Sequence, residues 1–251
     1  MNITKRLFPS VTNENRECGD ILYYAQSDMT CYMLRGKQGD LLIDTGLFQI
    51  WSGLREWLEQ YDIRYVLLTH AHADHDWNAV KLQRKGAKIL LCEYDKDLRQ
   101  NYLSQLVKPT MPKYTLRNYT QWISGGLFKS PHYDADIYFG KKDRGLLHEL
   151  GFDADIVFLP GHTYGSVGVY SKGVLYCGDA FTALWKRPDV TPHAVSPKLM
   201  HKSLERIIRL SPEWLACGHG LPIRFDDALP VITEYRSHCI KKTDNDSWRK
   251  G

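Results

Sequence analysis

Apolar positions along this chain fall into short runs and longer periodic stretches, and their order predicts an α/β architecture. Near the N-terminus, Cys31-Tyr32-Met33-Leu34-Arg35 and Asp40-Leu41-Leu42-Ile43-Asp44 flank a turn running from Gly36 to Gly39. Two apolar segments joined by a glycine-bearing turn predict a hairpin. Across residues 50–61 the apolar side chains are Ile50, Trp51, Leu54, Trp57 and Leu58, a helical spacing. Residues 64–69 form a short apolar run of the kind found in buried strands. Residues 76–85 read as a helix ended by Gly86, residues 87–92 as the next buried strand, and residues 96–106 as another helix. Strand, helix, strand in that order implies a layered α/β domain.

From about residue 107 to residue 142 the periodicity weakens. This stretch is rich in Tyr, Pro, Gly and charged residues, contains Trp122, and predicts an irregular or helical cap-like insertion. Strand patterns return at residues 155–159, 167–170 and 174–177, the last two around Ser171-Lys172-Gly173. Ser196-Pro197 starts a helix with proline at its first position, and Leu199, Leu204, Ile207 and Ile208 supply its buried face. Residues 214–217 read as a last strand, residues 226–240 as a closing helix, and residues 241–251 as a frayed tail. With no internal repeat, residues 1–251 are expected to form a single domain carrying the insertion.

Composition narrows the function classes. An apolar fraction of 43% supports a sizeable core. Net charge is +4, from 33 basic and 29 acidic side chains, with no basic stripe, so no nucleic-acid partner is indicated. The first twenty residues hold no uninterrupted apolar stretch and predict no secretory leader. No apolar run approaches the ~20 residues that cross a bilayer, so no membrane partner is expected. Cys18, Cys31, Cys92, Cys177, Cys217 and Cys239 form no CxxC pair. Free thiols in a reducing compartment, by default the cytoplasm, are therefore the expectation.

The segment Thr69-His70-Ala71-His72-Ala73-Asp74-His75 follows a predicted buried strand and packs three imidazoles and a carboxylate closely together. Alternation along the chain lets His70 and His72 share a face, while Asp74 and His75 stand where the next helix begins. A lone histidine is ordinarily a core or surface residue. Burying four metal-ligand types side by side without a metal would strand several polar groups, and their spacing lets two adjacent metals share them.

Residues 70–75, read as His-Ala-His-Ala-Asp-His, resemble the HxHxDH signature of the metallo-β-lactamase superfamily. Asp44-Thr45-Gly46 resembles the acidic strand end that precedes that signature in the family. Pro160-Gly161-His162-Thr163 resembles its third-histidine motif, Gly178-Asp179 its bridging aspartate, and Gly218-His219-Gly220 its last histidine. The resemblance runs from roughly Cys31 to Gly220 and implies a four-layer αββα sandwich. It also implies that His70, His72 and His162 hold one metal, that Asp74, His75 and His219 hold a second, and that Asp179 bridges both. Asp44 would stand behind a ligand histidine and orient it. Two Zn2+ suit such donors, and iron or manganese is chemically admissible. Flavin-linked diiron relatives usually carry a carboxylate where His72 stands, which tilts the choice to zinc.

A water between two such cations ionises near neutral pH and becomes a nucleophile, which Asp74 could aim. The resemblance thus implies a dinuclear hydrolase of a small ester, lactone or thioester. Tyr164, Tyr133 and His193 are candidates to touch that small-molecule substrate, each also readable as structural. Cys177 and Cys217 read as small buried thiols, and His132, His148, His201 and His238 as ordinary histidines. Three alternatives stand on the same fold: a mononuclear iron oxygenase resembling persulfide dioxygenases, a phosphodiesterase, and a non-catalytic binding protein. True β-lactamases generally lack the bridging aspartate that Asp179 matches, and the short stretch after His219 is not expected to hold a glutathione-binding helical domain. The aromatic-rich insertion offers a surface for a homodimer contact.

Overall fold

In the computed structural model, which describes residues 10–12, 17–115, 131–184 and 187–247, strand alternation sorts side chains into layers. One sheet is built from β1 (Val11–Thr12), β2 (Leu22–Gln26), β3 (Met29–Gly36), β4 (Gly39–Ile43), β5 (Ile63–Leu68) and β6 (Lys88–Cys92). β7 (Lys108–Pro109) stands apart, and β8 (Ile137–Phe139) completes the sheet in the order β1-β2-β3-β4-β5-β6-β8. The second sheet takes β9 (Asp155–Phe158), β10 (Val167–Ser171) and β11 (Val174–Gly178). β12 (His193–Ala194) pairs with β7, and β13 (Trp214–Cys217) and β14 (Ile223–Arg224) extend the second sheet to the order β14-β13-β11-β10-β9.

Successive residues of a strand face opposite sides of the sheet. Leu41 and Ile43, Leu67 and Leu90 point into the space between the sheets, where they meet Ile156, Phe158, Val167, Val169 and Tyr176. Their neighbours Leu42, Val66, Leu68, Ile89 and Leu91 point outward, against Leu54 and Leu58 of α1 (Trp51–Leu58) and against Ala79, Val80 and Leu82 of α3 (Ala79–Gln83), which follows the short helix α2 (Ala73–Asp76). After α4 (Lys96–Gln100) and α5 (Leu146–Glu149), α6 (Pro197–Leu210) and α7 (Phe225–Ser247) cover the outer face of the second sheet. Met200, Leu204 and Ile207 of α6, with Ala228, Ile232 and Tyr235 of α7, bury Leu175, Cys177 and Leu215 there. The result is the layered α/β domain that the apolar periodicities predict, in the four-layer αββα form that the resemblance implies.

Topology then concentrates the chemistry. β4 and β5 run parallel, and β11 and β13 run parallel. β9 is antiparallel to β10, which is antiparallel to β11, so β9 shares the direction of β11. Asp44, His70, His162, Asp179 and His219 each lie just past the C-terminal end of one of these five strands. Ligand sites of open α/β sheets lie at that end, and here the two sheets bring theirs together: Val167 N–H donates to Thr69 O at 2.9 Å, and Thr30 N–H to Gly218 O at 2.9 Å.

Several elements differ from the periodicity reading. The helix expected over residues 76–85 breaks at Trp77-Asn78, because Asn78 is buried and does local work. Its Nδ2 donates to the carbonyls of Thr45, Gly46 and Leu47 at 2.8, 3.0 and 3.0 Å. The helix expected over 96–106 breaks at Asn101, which is extended and caps a 3-10 turn over Tyr102–Gln105 through its side chain. The expected insertion is shorter than 107–142, since Ile137–Phe139 joins the first sheet beside β6; residues 116–130, Trp122 among them, lie outside the described residues. The last helix runs on to Ser247, past the expected fraying point. Among the described residues, no helix is long and apolar enough to cross a membrane.

Asn78 therefore ties α3 to the loop that follows β4. Replacing Asn78 with Ala removes the side-chain donor from the buried Thr45 and Gly46 carbonyls, and the expected loss is about 2 kcal/mol of stability, read as a lower urea midpoint at unchanged slope.

Candidate metal centre

Three groups of ligand atoms lie within 4.8 Å of one another among the described residues: His70 with His72 and His162, His70 with His75 and Asp179, and Asp74 with His75 and His219. The predicted ligands thus converge, and shared members link the groups into one centre. Asp179 lies between its ends. Its Oδ2 is 3.5 Å from His162 Nε2 and 3.4 Å from His219 Nε2, and its Oδ1 is 3.4 Å from His75 Nε2.

The outer partner of each ring determines which nitrogen faces inward. His162 Nδ1 donates to the carbonyl of His193 at 2.8 Å, which leaves Nε2 bare in the neutral ring. Thr69 Oγ1 donates to Asp44 Oδ2 at 2.8 Å and therefore accepts from His70 Nδ1 at 3.2 Å, again leaving Nε2 bare. Both bare nitrogens point at His72 Nδ1, at 2.9 and 3.1 Å. Asp44 Oδ2 accepts from His75 Nδ1 at 2.8 Å, and the carbonyl of Asp28 accepts from His219 Nδ1 at 3.2 Å. His75 Nε2 and Asp179 Oδ1 are buried and make no hydrogen bond.

This donor set fits metal cations. Around a tetrahedral cation with bonds of ~2.0–2.1 Å, ligand nitrogens sit ~3.3 Å apart, close to the spacing of the three histidines. Asp44 itself is held at φ 60°, a conformation that costs a non-glycine residue about 1 kcal/mol or more. That backbone twist lets one carboxylate take both Thr69 N–H, at 2.8 Å, and the His75 ring.

Protonation follows the same layout. Burial, then the neighbouring His75, His72 and His162, hold His70 well below the ordinary imidazole range, and burial with His162 pushes His72 down to about 3. At the other end burial opposes charge, but Asp44, Asp179 and Asp74 hold His75 well above that range. Burial is likewise outweighed at His219, which Asp179 and Asp74 push up to about 10. Burial would raise both carboxyls, yet His219 and His75 hold Asp179, and His75 and His219 hold Asp74, below the usual carboxylate range. Free of metal, His70 and His72 are neutral and the carboxylate end holds protons that a bound cation displaces.

The centre opens into a cavity of about 320 Å3 whose wall includes Ser27, Asp28, Met29, Leu47, Thr182 and His193. Of the residues expected to touch substrate, His193 is there, whereas Tyr164 and Tyr133 are not among the lining residues. Tyr164 is 49% exposed on the surface. Tyr133 is buried, and its hydroxyl donates to Asp76 Oδ2 at 2.9 Å, bracing α2 from behind. A larger hollow of about 440 Å3, lined by Phe152, Tyr176 and Trp214, lies at the opposite strand ends and holds none of the clustered ligands. Cys177 and Cys217 are buried free thiols with sulfurs 3.8 Å apart. Three partners of the ligand rings escaped the sequence reading: Thr69 as a relay and the carbonyls of Asp28 and His193. A backbone carbonyl leaves no residue-type signal, and a threonine beside a histidine is too common to signal anything.

Comparison with known proteins points the same way. The family model described as Metallo-beta-lactamase superfamily matches residues 28–219. A metallo-beta-lactamase fold-containing protein of Sulfurisphaera tokodaii is 25% identical over 202 residues, which is 76% of this chain and 72% of that protein. Hydroxyacylglutathione hydrolase of Pseudomonas fluorescens is 30% identical over 169 residues, 65% of this chain, but the match spans only 51% of the hydrolase. A cAMP/cGMP-dependent 3',5'-cAMP/cGMP phosphodiesterase of Dictyostelium discoideum is 26% identical over 58% of this chain, and the match spans 12% of that protein's length. Among solved structures, a protein crystallised in a di-iron-bound form superposes with a TM-score of 0.58 at 22% identity, covering 88% of this chain and 97% of its own. At that identity the likeness is one of fold.

Gly218 marks how tightly the centre is packed. A Cβ there would stand 2.5 Å from His75 Cε1 and 2.7 Å from Asp179 Oδ1. Gly218→Ala is expected to push these groups apart and to weaken cation binding about 10-fold or more, with unchanged far-ultraviolet circular dichroism; elemental analysis after dialysis against a chelator series measures it.

Proposed function

Because the chain belongs to the metallo-beta-lactamase superfamily, we propose that it is a metal-dependent hydrolase of a small ester, lactone or thioester. One observation carries this reading: two ligand triads joined through Asp179 open into a cavity sized for a small molecule. His70, His72 and His162 would hold one cation, Asp74, His75 and His219 the other, and Asp179 would reach both. Two divalent cations in such a centre supply Lewis acidity and a water that ionises near neutral pH. Zinc matches a donor set of imidazoles and carboxylates; iron also accepts these donors.

The chain's own residues do the rest. Asp74 lines the cavity, and one of its oxygens lies 3.2 Å from His219 Nε2. The carboxylate accepts a hydrogen bond from the attacking water and aims its lone pair toward the substrate carbonyl. Asp44, Thr69 and the carbonyls of Asp28 and His193 keep the ligand rings from turning. Met29 and Leu47 give the wall an apolar stretch that suits the uncharged part of an acyl substrate.

A phosphodiester is the second reading, favoured by the likeness to the Dictyostelium phosphodiesterase. The apolar wall of Met29 and Leu47 favours the uncharged acyl substrate, so the ester stands first.

The test is metal analysis joined to turnover of lactones, thioesters, esters and phosphodiesters by the Zn2+-loaded chain. His72→Ala and Asp179→Ala are expected to lower kcat/KM about 100-fold or more and to lose bound metal while staying folded. Full metal and retained turnover in both variants would refute the ligand assignment. One iron per chain with oxygen consumption would replace the hydrolase by an oxygenase.

A further inference from the structure

Asp95 lies outside every motif of the centre, in the turn between β6 and α4, and has no exposed surface. Its carboxylate is surrounded by donors. Oδ2 accepts from Ala71 N–H at 3.2 Å and from Thr163 Oγ1 at 2.7 Å. Oδ1 accepts from Gly165 N–H at 2.8 Å and from Gln105 Nε2 at 3.0 Å. Ala71 separates His70 from His72, and Thr163 follows His162. One side chain from the first sheet therefore grips both loops that carry the three-histidine end, and the second of those loops belongs to the other sheet.

The contact leaves little slack. A Cβ on Gly165 would stand 2.5 Å from Asp95 Cγ, so the loop after His162 lies directly on the carboxylate. Gln105 extends the arrangement: its Oε1 accepts from Tyr164 N–H at 2.7 Å, and its Nε2 also donates to Tyr94 O at 3.0 Å. Gln105 closes the 3-10 turn that leads into β7, and β7 pairs with β12, whose His193 carbonyl holds the His162 ring. His75 and His219 are braced instead by Asp44 and by the carbonyl of Asp28. The two ends of the centre thus have separate supports.

We propose that Asp95 is a positioning residue for the three-histidine end, registering the His70–His72 loop against the His162 loop and, through Gln105, against the start of the cap-like insertion. The proposal rests on the ligand roles assigned in the preceding section. A carboxylate suits the place because all four neighbours are donors. An amide would turn an NH2 group against two of them.

The experiment uses the full chain and Zn2+ as the probe, with competition against a chromophoric chelator resolving the two cations. Asp40→Asn is the control: Asp40 is also buried and accepts hydrogen bonds from Asp62 N–H and Arg35, away from the ligands. Asp95→Asn is expected to weaken one cation about 10- to 100-fold and to leave the other as in the unaltered chain. It should be the cation that His72→Ala removes, so adding Asp95→Asn to His72→Ala changes nothing further at the remaining cation. Asp40→Asn should lower the melting temperature and leave both affinities intact. Thr163→Val and Gln105→Ala each delete one donor and keep the carboxylate. They are expected to weaken the same cation several-fold, which keeps the proposal exposed if Asp95→Asn does not fold. Equal weakening of both cations, or unchanged binding in Asp95→Asn or in the two donor variants, overturns it. An unaltered chain that binds no Zn2+ refutes the ligand roles themselves, a different failure.

Discussion

Imidazoles and carboxylates crowded around one small buried space are the arrangement on which this molecule depends. His70 Nε2 and His162 Nε2 are bare because their opposite nitrogens already donate to Thr69 and to the His193 carbonyl, and both point at His72 Nδ1. Two carboxylates, Asp74 and Asp179, complete the inner surface. Buried groups of this kind cost free energy when nothing donates to them. A cation would satisfy several of these atoms at once, while a protein side chain could satisfy only one or two. The fold therefore spends a second ring of atoms on holding the first in place, and much of that ring is backbone carbonyl or relay hydroxyl, with little freedom to turn.

That ring also explains why the two sheets meet as they do. Asp44 and the segment from His70 to His75 belong to the first sheet's strand ends, whereas His162, Asp179 and His219 belong to the second's. Between the sheets lies an apolar core of Leu41, Ile43, Leu67 and Leu90 against Ile156, Val167, Val169 and Tyr176. That core is non-directional and determines the separation of the layers. Direct hydrogen bonds at the strand ends, such as Val167 to Thr69 and Thr30 to Gly218, fix the register. A cation held by ligands from both sheets would bind the folded chain and not the unfolded one, so loading and stability are linked by mass action.

Much of this was legible in the sequence because strands and metal motifs leave strong local signals. The alternation at Leu41–Ile43 and the run ending at Leu68 place two strands, and the residues after them place the ligands. Helix interiors were less legible where a polar side chain had tertiary work. Asn78 reads as one more helical position, yet its side chain is committed to the Thr45–Leu47 carbonyls and the helix breaks there. Asn101 breaks the next helix by capping Leu103 N–H. Ile137–Phe139 is a three-residue strand inside a stretch of weak periodicity, and its sheet membership depends on β6 beside it. Asp95 resembles any acidic residue opening a helix; only the fold shows that its neighbours are Ala71, Thr163 and Gly165.

The boundary between reaction class and substrate is physical as well. The ligands lie in short motifs at strand ends, but the cavity wall is assembled from segments far apart in the chain, including the β2–β3 turn, Leu47 and the stretch around Thr182 and His193. These walls are not independent of the chemistry. Ser27 and Asp28 both adopt positive φ, at 54° and 67°, the geometry of a tight hairpin turn. The same turn presents the Asp28 carbonyl to His219 Nδ1 and to Gly220 N–H. A change that reshapes this wall for a different substrate therefore also moves the brace behind a ligand ring. On the proposed reading, substrate range and metal geometry would be coupled through a single carbonyl, and the wall could vary only in ways that leave His219 where it is.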